Sequence, residues 1–140
     1  MVFPKAIPPV EEIKERLTPL FREEGLRLVL LFGSVAADHI HRRSDIDLAF
    51  LYDRPVDILA LTNRIIRLLE TDNVDVVDLR RASPLLKLSS VKDGKVLYEK
   101  EPGVFHSFYS LAFRMYADSK KLRDANAQAI TLFLEARGLR

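Results

Sequence analysis

The stretch from Val29 to Leu51, VLLFGSVAADHIHRRSDIDLAFL, constrains the chain more than any other. It reads as an apolar strand, an abrupt Gly33-Ser34 turn, ten small or polar residues, and a second strand that opens with Asp45 and Asp47. Side chains alternate along a strand, so two carboxylates at i and i+2 project from one face. Two like charges held that close repel unless a cation sits between them. Mg²⁺ suits such a place, because it takes oxygen ligands and often recruits only one or two carboxylates, with water and substrate phosphate completing its octahedron. At the turn, Gly33 lets backbone approach a phosphate closely, and the N–H groups that follow and the Ser34 hydroxyl are donors to it. A phosphate cradle facing a carboxylate pair is the equipment for metal-assisted phosphoryl or nucleotidyl transfer. A bare Asp-x-Asp says little in a chain with 20 acidic residues, whereas the joint pattern says much more.

The rest of the chain supplies elements to either side. At 140 residues it is expected to be one domain, spanning 1–140. An apolar content of 48% beside 30% charged residues is that of an ordinary globular protein and argues against disorder. A net charge of +2 is too small to argue for nucleic acid. With no cysteine, disulfides and cysteine-ligated zinc are excluded. The opening VFPKAIPPVEE lacks the apolar region of a signal peptide, and no run approaches ~18 apolar residues, so the expected location is the cytoplasm, away from membranes.

Residues 1–9 carry three of the seven prolines and read as an extended arm. Val10, Ile13, Leu17, Leu20 and Phe21 recur at helical spacing; Pro19 is expected to kink or break that helix, and Gly25 to stop it. Leu26 to Phe32 is so continuously apolar that burial on both faces is expected. The second strand runs from Ile46 to about Tyr52. Asp57 is placed to cap a helix through Glu70 that turns Ile58, Leu61, Ile65 and Leu68 or Leu69 inward. A third strand follows at Val74 to Leu79, then a short helix from Pro84 to about Ser90, an Asp93-Gly94 turn and a strand at Lys95–Glu99. Over 105–140 apolar residues recur at three and four, as one long amphipathic helix or as two separated near Asp124–Gln128.

This order predicts an α+β fold with a mixed sheet, core strand order 1-2-3, flanking helices and a long C-terminal helical segment. The first two strands, joined by a modest loop, should be antiparallel; the second and third, joined by a helix, should be parallel by a right-handed crossover. Two-metal transfer usually needs a third acid, and VDVVDL offers two. Starts lie beside starts in a parallel pair, so Asp75 falls level with Asp45 and Asp47. Asp78 lies roughly 10 Å further on at ~3.3 Å per residue, facing the other side, where it reads as a strand-end residue paired with Arg80 or Arg81.

Gly33-Ser34, ten residues and Asp45-x-Asp47 resemble the G-S-x10-D-x-D signature of the DNA-polymerase-beta-like nucleotidyltransferase superfamily. At this size the chain resembles the minimal nucleotidyltransferases, the antitoxin halves of HEPN/MNT toxin–antitoxin pairs. The motif covers 15 residues, and the element order extends the likeness to most of the chain. The resemblance implies ATP as nucleotide and Mg²⁺ as cofactor, with Asp45, Asp47 and Asp75 as catalytic metal ligands and Gly33 and Ser34 gripping phosphates. It also implies a HEPN ribonuclease toxin as partner, silenced by transfer of AMP to its tyrosine. Apolar positions on the C-terminal helix are expected to help dock that partner.

The connector departs from the family's usual G-S-x-A-R-G: Ala36 agrees, but Ala37 stands where the arginine is customary and Asp38 where the glycine is. An arginine there would face triphosphate charge. Arg43, with Arg42 beside it, is the candidate replacement for nucleotide binding, the alternative being solvated loop residues. His39 and His41 read as surface histidines rather than metal ligands. Two other functions stay open. One is a non-catalytic antitoxin that neutralises by contact; the other is a small-molecule enzyme with an aminoglycoside-like acceptor, for which 140 residues leave little wall. No direct contact with nucleic acid is expected, and homo-oligomerisation is left open.

Overall fold

In the computed structural model, which describes residues 7–33 and 45–138, the elements follow in the order α1 (Val10–Phe21), β1 (Leu26–Phe32), β2 (Ile46–Tyr52), α2 (Ile58–Leu69), β3 (Val74–Asp78), α3 (Pro84–Lys92), β4 (Lys95–Glu99) and α4 (Val104–Ala136). The strands form one mixed sheet in the order β3-β2-β1-β4. β1 and β2 are antiparallel, with Phe32 opposite Asp47 and Leu30 opposite Ala49. β2 and β3 are parallel, as the intervening α2 requires, and Asp47 pairs with Asp75. β4 lies antiparallel on the other edge of β1, a place the five-residue strand did not announce in the sequence.

With β1 flanked on both sides and covered on both faces, its continuous apolar run is explained. Val29 and Leu31 face one core, with Leu48 and Phe50 of β2, Ile13, Leu17 and Leu20 of α1, and Leu61, Ile65 and Leu69 of α2. Leu28, Leu30 and Ala49 face a second core beneath Val91 of α3 and Val104, Phe108 and Ala112 of α4. The result is a three-layer arrangement, a helix pair on each side of the sheet.

Local chemistry sets the boundaries. Pro19 does not break α1, which runs on to Phe21. The proline lies near the end of the helix, and the Thr18 hydroxyl donates to the Glu15 carbonyl at 2.7 Å, replacing the N–H that Pro19 lacks. Asp57 caps α2 by accepting from the Ala60 N–H at 3.1 Å. At the other end Glu70 adopts φ 56°, in the left-handed region that ends helices. Ser83 caps α3, accepting from the Leu86 N–H at 3.2 Å, with Pro84 in the first turn, and the helix continues past Ser90 to Lys92. α4 is a single helix of 33 residues, about 50 Å long at 1.5 Å per residue, and is not divided near Asp124–Gln128. Among the described residues no helix is long and apolar enough to cross a membrane.

Candidate functional site

Both hairpin partners and the parallel neighbour deliver their chemistry to one end of the sheet. Phe32 ends β1 opposite Asp47, so Gly33 begins the turn directly beside that carboxylate. Gly33 has φ 77°, which glycine adopts without strain, and a Cβ at this position would run into Oδ2 of Asp47. The glycine therefore does two things. It turns the chain, and it leaves the volume that the Asp47 carboxylate occupies. The sequence suggests only the phosphate role; the second becomes visible once the hairpin register is known.

Period-two alternation fixes which acids share a face. Asp47 is followed on its side of β2 by Ala49 and Leu51, and Asp75 on its side of β3 by Val77 and Leu79; all four belong to the core beneath α3 and α4. The carboxylates thus stand at the open end of the face that α3 and α4 cover further along, Asp47 half-buried and Asp75 and Asp45 exposed. Their mutual influence is felt at Asp47. Burial pushes its pKa from 3.8 up to about 6, and the negative charges of Asp75 and then Asp45 add to the rise. An acid held in that state gains from any cation brought to it. Among the described residues no three acidic, His or Cys side chains are gathered closely enough to enclose a metal ion. Asp45, Asp47 and Asp75 still lie near enough for charge to act on Asp47, and a hard cation that keeps water and phosphate ligands would relieve that repulsion.

Asp78 lies elsewhere. It pairs with Phe50, three positions along from Asp75, and alternation puts its side chain on the opposite face with Val74 and Val76, which pack on the α1–α2 core. One of its oxygens accepts the Arg80 backbone N–H at 3.0 Å. Its Oδ2 is buried with no hydrogen-bond partner among the described residues. The fold brings together Gly33, Asp45, Asp47 and Asp75 of the residues singled out in the sequence, and it excludes Asp78 from the group. Ser34, Arg42 and Arg43 lie outside the described residues, as do Ala37, Asp38, His39 and His41.

Comparison with known proteins finds several similar chains. The family model described as polymerase beta, nucleotidyltransferase matches residues 15–103, which contain all four strands. A protein adenylyltransferase MntA from Aphanizomenon flos-aquae is 30% identical over 146 residues, covering 95% of this chain and 97% of the relative. A protein adenylyltransferase MntA from Shewanella oneidensis is 42% identical over 76 residues, covering 52% of this chain and 54% of the relative. Among solved structures, a toxin–antitoxin with AMP-PNP contains a chain 31% identical with a TM-score of 0.73, covering 86% of this chain and 97% of that one. A tri-AMPylated Shewanella oneidensis HEPN toxin in complex with MNT antitoxin matches at 28% identity and a TM-score of 0.70, covering 86% of this chain and 98% of that one.

Proposed function

The chain belongs to the polymerase beta nucleotidyltransferase family, and on that premise we propose that it is the adenylylating antitoxin of a HEPN toxin, moving AMP from ATP to a tyrosine of its partner. The observation that carries the proposal is the pairing of Asp47 with Asp75 across parallel strands, beside a glycine that makes room for the Asp47 carboxylate. In this reading residues 1–140 act as one nucleotidyltransferase unit in the cytoplasm.

Asp45, Asp47 and Asp75 would hold Mg²⁺, which would neutralise triphosphate charge and lower the pKa of an attacking hydroxyl. Gly33 and Ser34 grip the phosphates through backbone N–H groups and the serine hydroxyl, and Arg43 supplies positive charge near them. Asp75, at the outer strand of the trio, orients the acceptor hydroxyl in line with the α-phosphorus. The tyrosine oxygen bonds to that phosphorus, the bond to the β-phosphate bridging oxygen breaks, pyrophosphate leaves, and the phenolic proton passes to a nearby base or to solvent. The described residues offer no second domain to hold an acceptor, and in-line transfer demands that the attacking oxygen be held. A protein partner supplies that missing surface.

Incubation with α-labelled ATP, Mg²⁺ and a co-purified HEPN partner tests the reading. Label should appear on the partner, vanish with chelator, and fall by at least ~10²-fold in Asp45→Asn or Asp47→Asn. Full labelling in both variants would reject it. The replacement of the customary arginine by Ala37 favours one rival, neutralisation by contact alone. An unlabelled partner that is nonetheless bound and silenced would establish that rival.

A further inference from the structure

We infer that α3 forms one wall of the nucleotide site and that Lys92, at its end, binds the polyphosphate chain of the nucleotide, an inference that rests on the proposed transfer and adds a contact to it. The path of α3 builds the wall. The helix starts after Leu79, at the far end of β3, and ends at Lys92, a short turn before Lys95, which pairs with Leu31 near the acid end of β1. It therefore crosses the sheet face diagonally and divides that face into two corners. The corner at the far ends of β1 and β4 is filled by α4, whose Val104 and Phe108 share a core with Leu28 and Leu30. The other corner, at the starts of β2 and β3, holds Asp47 and the exposed Asp75.

Each side of α3 then has its own neighbour. Leu88 and Val91 pack on the core of the sheet. Lys87 turns to α4, its Nζ 4.0 Å from Met115 Sδ. Leu85, Ser89 and Lys92, at i, i+4 and i+7, form the remaining side; all three are exposed, and that side borders the corner with the acids. Of the three, Lys92 stands nearest the phosphate turn. It follows by one helical turn Leu88, which borders the same core as Phe32, and Phe32 pairs with Asp47 directly before Gly33. Among the described residues no carboxylate forms an ion pair with Lys92. An ammonium on a flexible stem meets a need of this corner. A triphosphate brought to three acids requires positive charge, and Ala37 stands where an arginine is customary. Lysine serves there as a point charge with three donors for phosphate oxygens.

Calorimetry of the full chain with Mg²⁺ and either ATP or inorganic tripolyphosphate tests this. Lys92→Met keeps the stem and removes the charge, and it should weaken both ligands about tenfold or more while circular dichroism keeps the helix content. Lys92→Arg should restore most of the loss. Lys100→Met, just past the far end of β4, removes the same charge and should bind both ligands as wild type does. ATP affinity in Lys92→Met equal to that of wild type would overturn the inference. So would an equal loss in Lys100→Met, which would mean that net charge and not a local contact is at work. A partner labelled normally by Lys92→Met, with ATP affinity unchanged, would remove the Lys92 contact and leave the transfer standing. Tripolyphosphate binding that depends on Lys92, in a chain that labels no partner, would keep the contact and reject the transfer.

Discussion

At Asp47, partial burial and then neighbouring charge act together against ionisation, and the effect on stability has a definite sign. Its folded pKa of about 6 lies above the ordinary 3.8, so folding is favoured while the carboxyl keeps its proton. That contribution is fully present below the unfolded value and is lost as pH rises from about 4 through about 6. With chelator present, urea titrations should therefore show stability from this group falling over that window. Asp47→Asn should flatten the fall and make the metal-free chain more stable than wild type at neutral pH, while transfer is lost. An unchanged slope in the variant would mean that Asp47 is not the strained acid. Gly33 is tested beside it. Gly33→Ala forces a strained φ and pushes the Asp47 carboxylate aside, so we expect binding of ATP in the presence of Mg²⁺ to weaken about tenfold or more in calorimetry, the ~1.4 kcal/mol or more that a displaced ligand easily costs.

Among the elements, the helices were the more legible in the sequence and the sheet edge the less. The Asp57 cap could be read directly, because a capping carboxylate followed by helical apolar spacing has one meaning, and the structure places its hydrogen bond at Ala60. Asp57→Ala should cost about 1 kcal/mol in urea unfolding and leave transfer untouched. A loss of transfer at full stability would show that α2 does more than support the strands. Pro19 shows where local rules mislead: the rule against interior proline is right about the lost N–H, but the Thr18 hydroxyl occupies the Glu15 carbonyl. The position of β4 was not legible, since a turn signal and five residues say that a strand exists and not which edge receives it. The double role of Gly33 was hidden for a related reason, as it depends on register rather than residue type.

The whole molecule is a device for bringing three strand ends together. The choice of Asp75 over Asp78 follows from topology alone: a parallel β2–β3 pair sets starts beside starts, and alternation turns Asp78 to the other face. That much was legible because a helix between two strands forces the crossover, whereas the connector before Asp45 gives no such constraint on Arg42 or Arg43. Three acids at one sheet end, next to a phosphate-compatible turn, suit a nucleotide. In the proposed function the acceptor comes from outside, so the chemistry should be visible on a partner protein and not on this chain. Intact-mass spectrometry of the HEPN partner, after incubation with ATP and Mg²⁺ and each of four enzymes, is the most direct test. Wild type and Asp78→Asn should add AMP to a partner tyrosine, and Asp47→Asn and Asp75→Asn should leave the partner at its unmodified mass. A partner modified normally by Asp75→Asn but left untouched by Asp78→Asn would contradict the site described here.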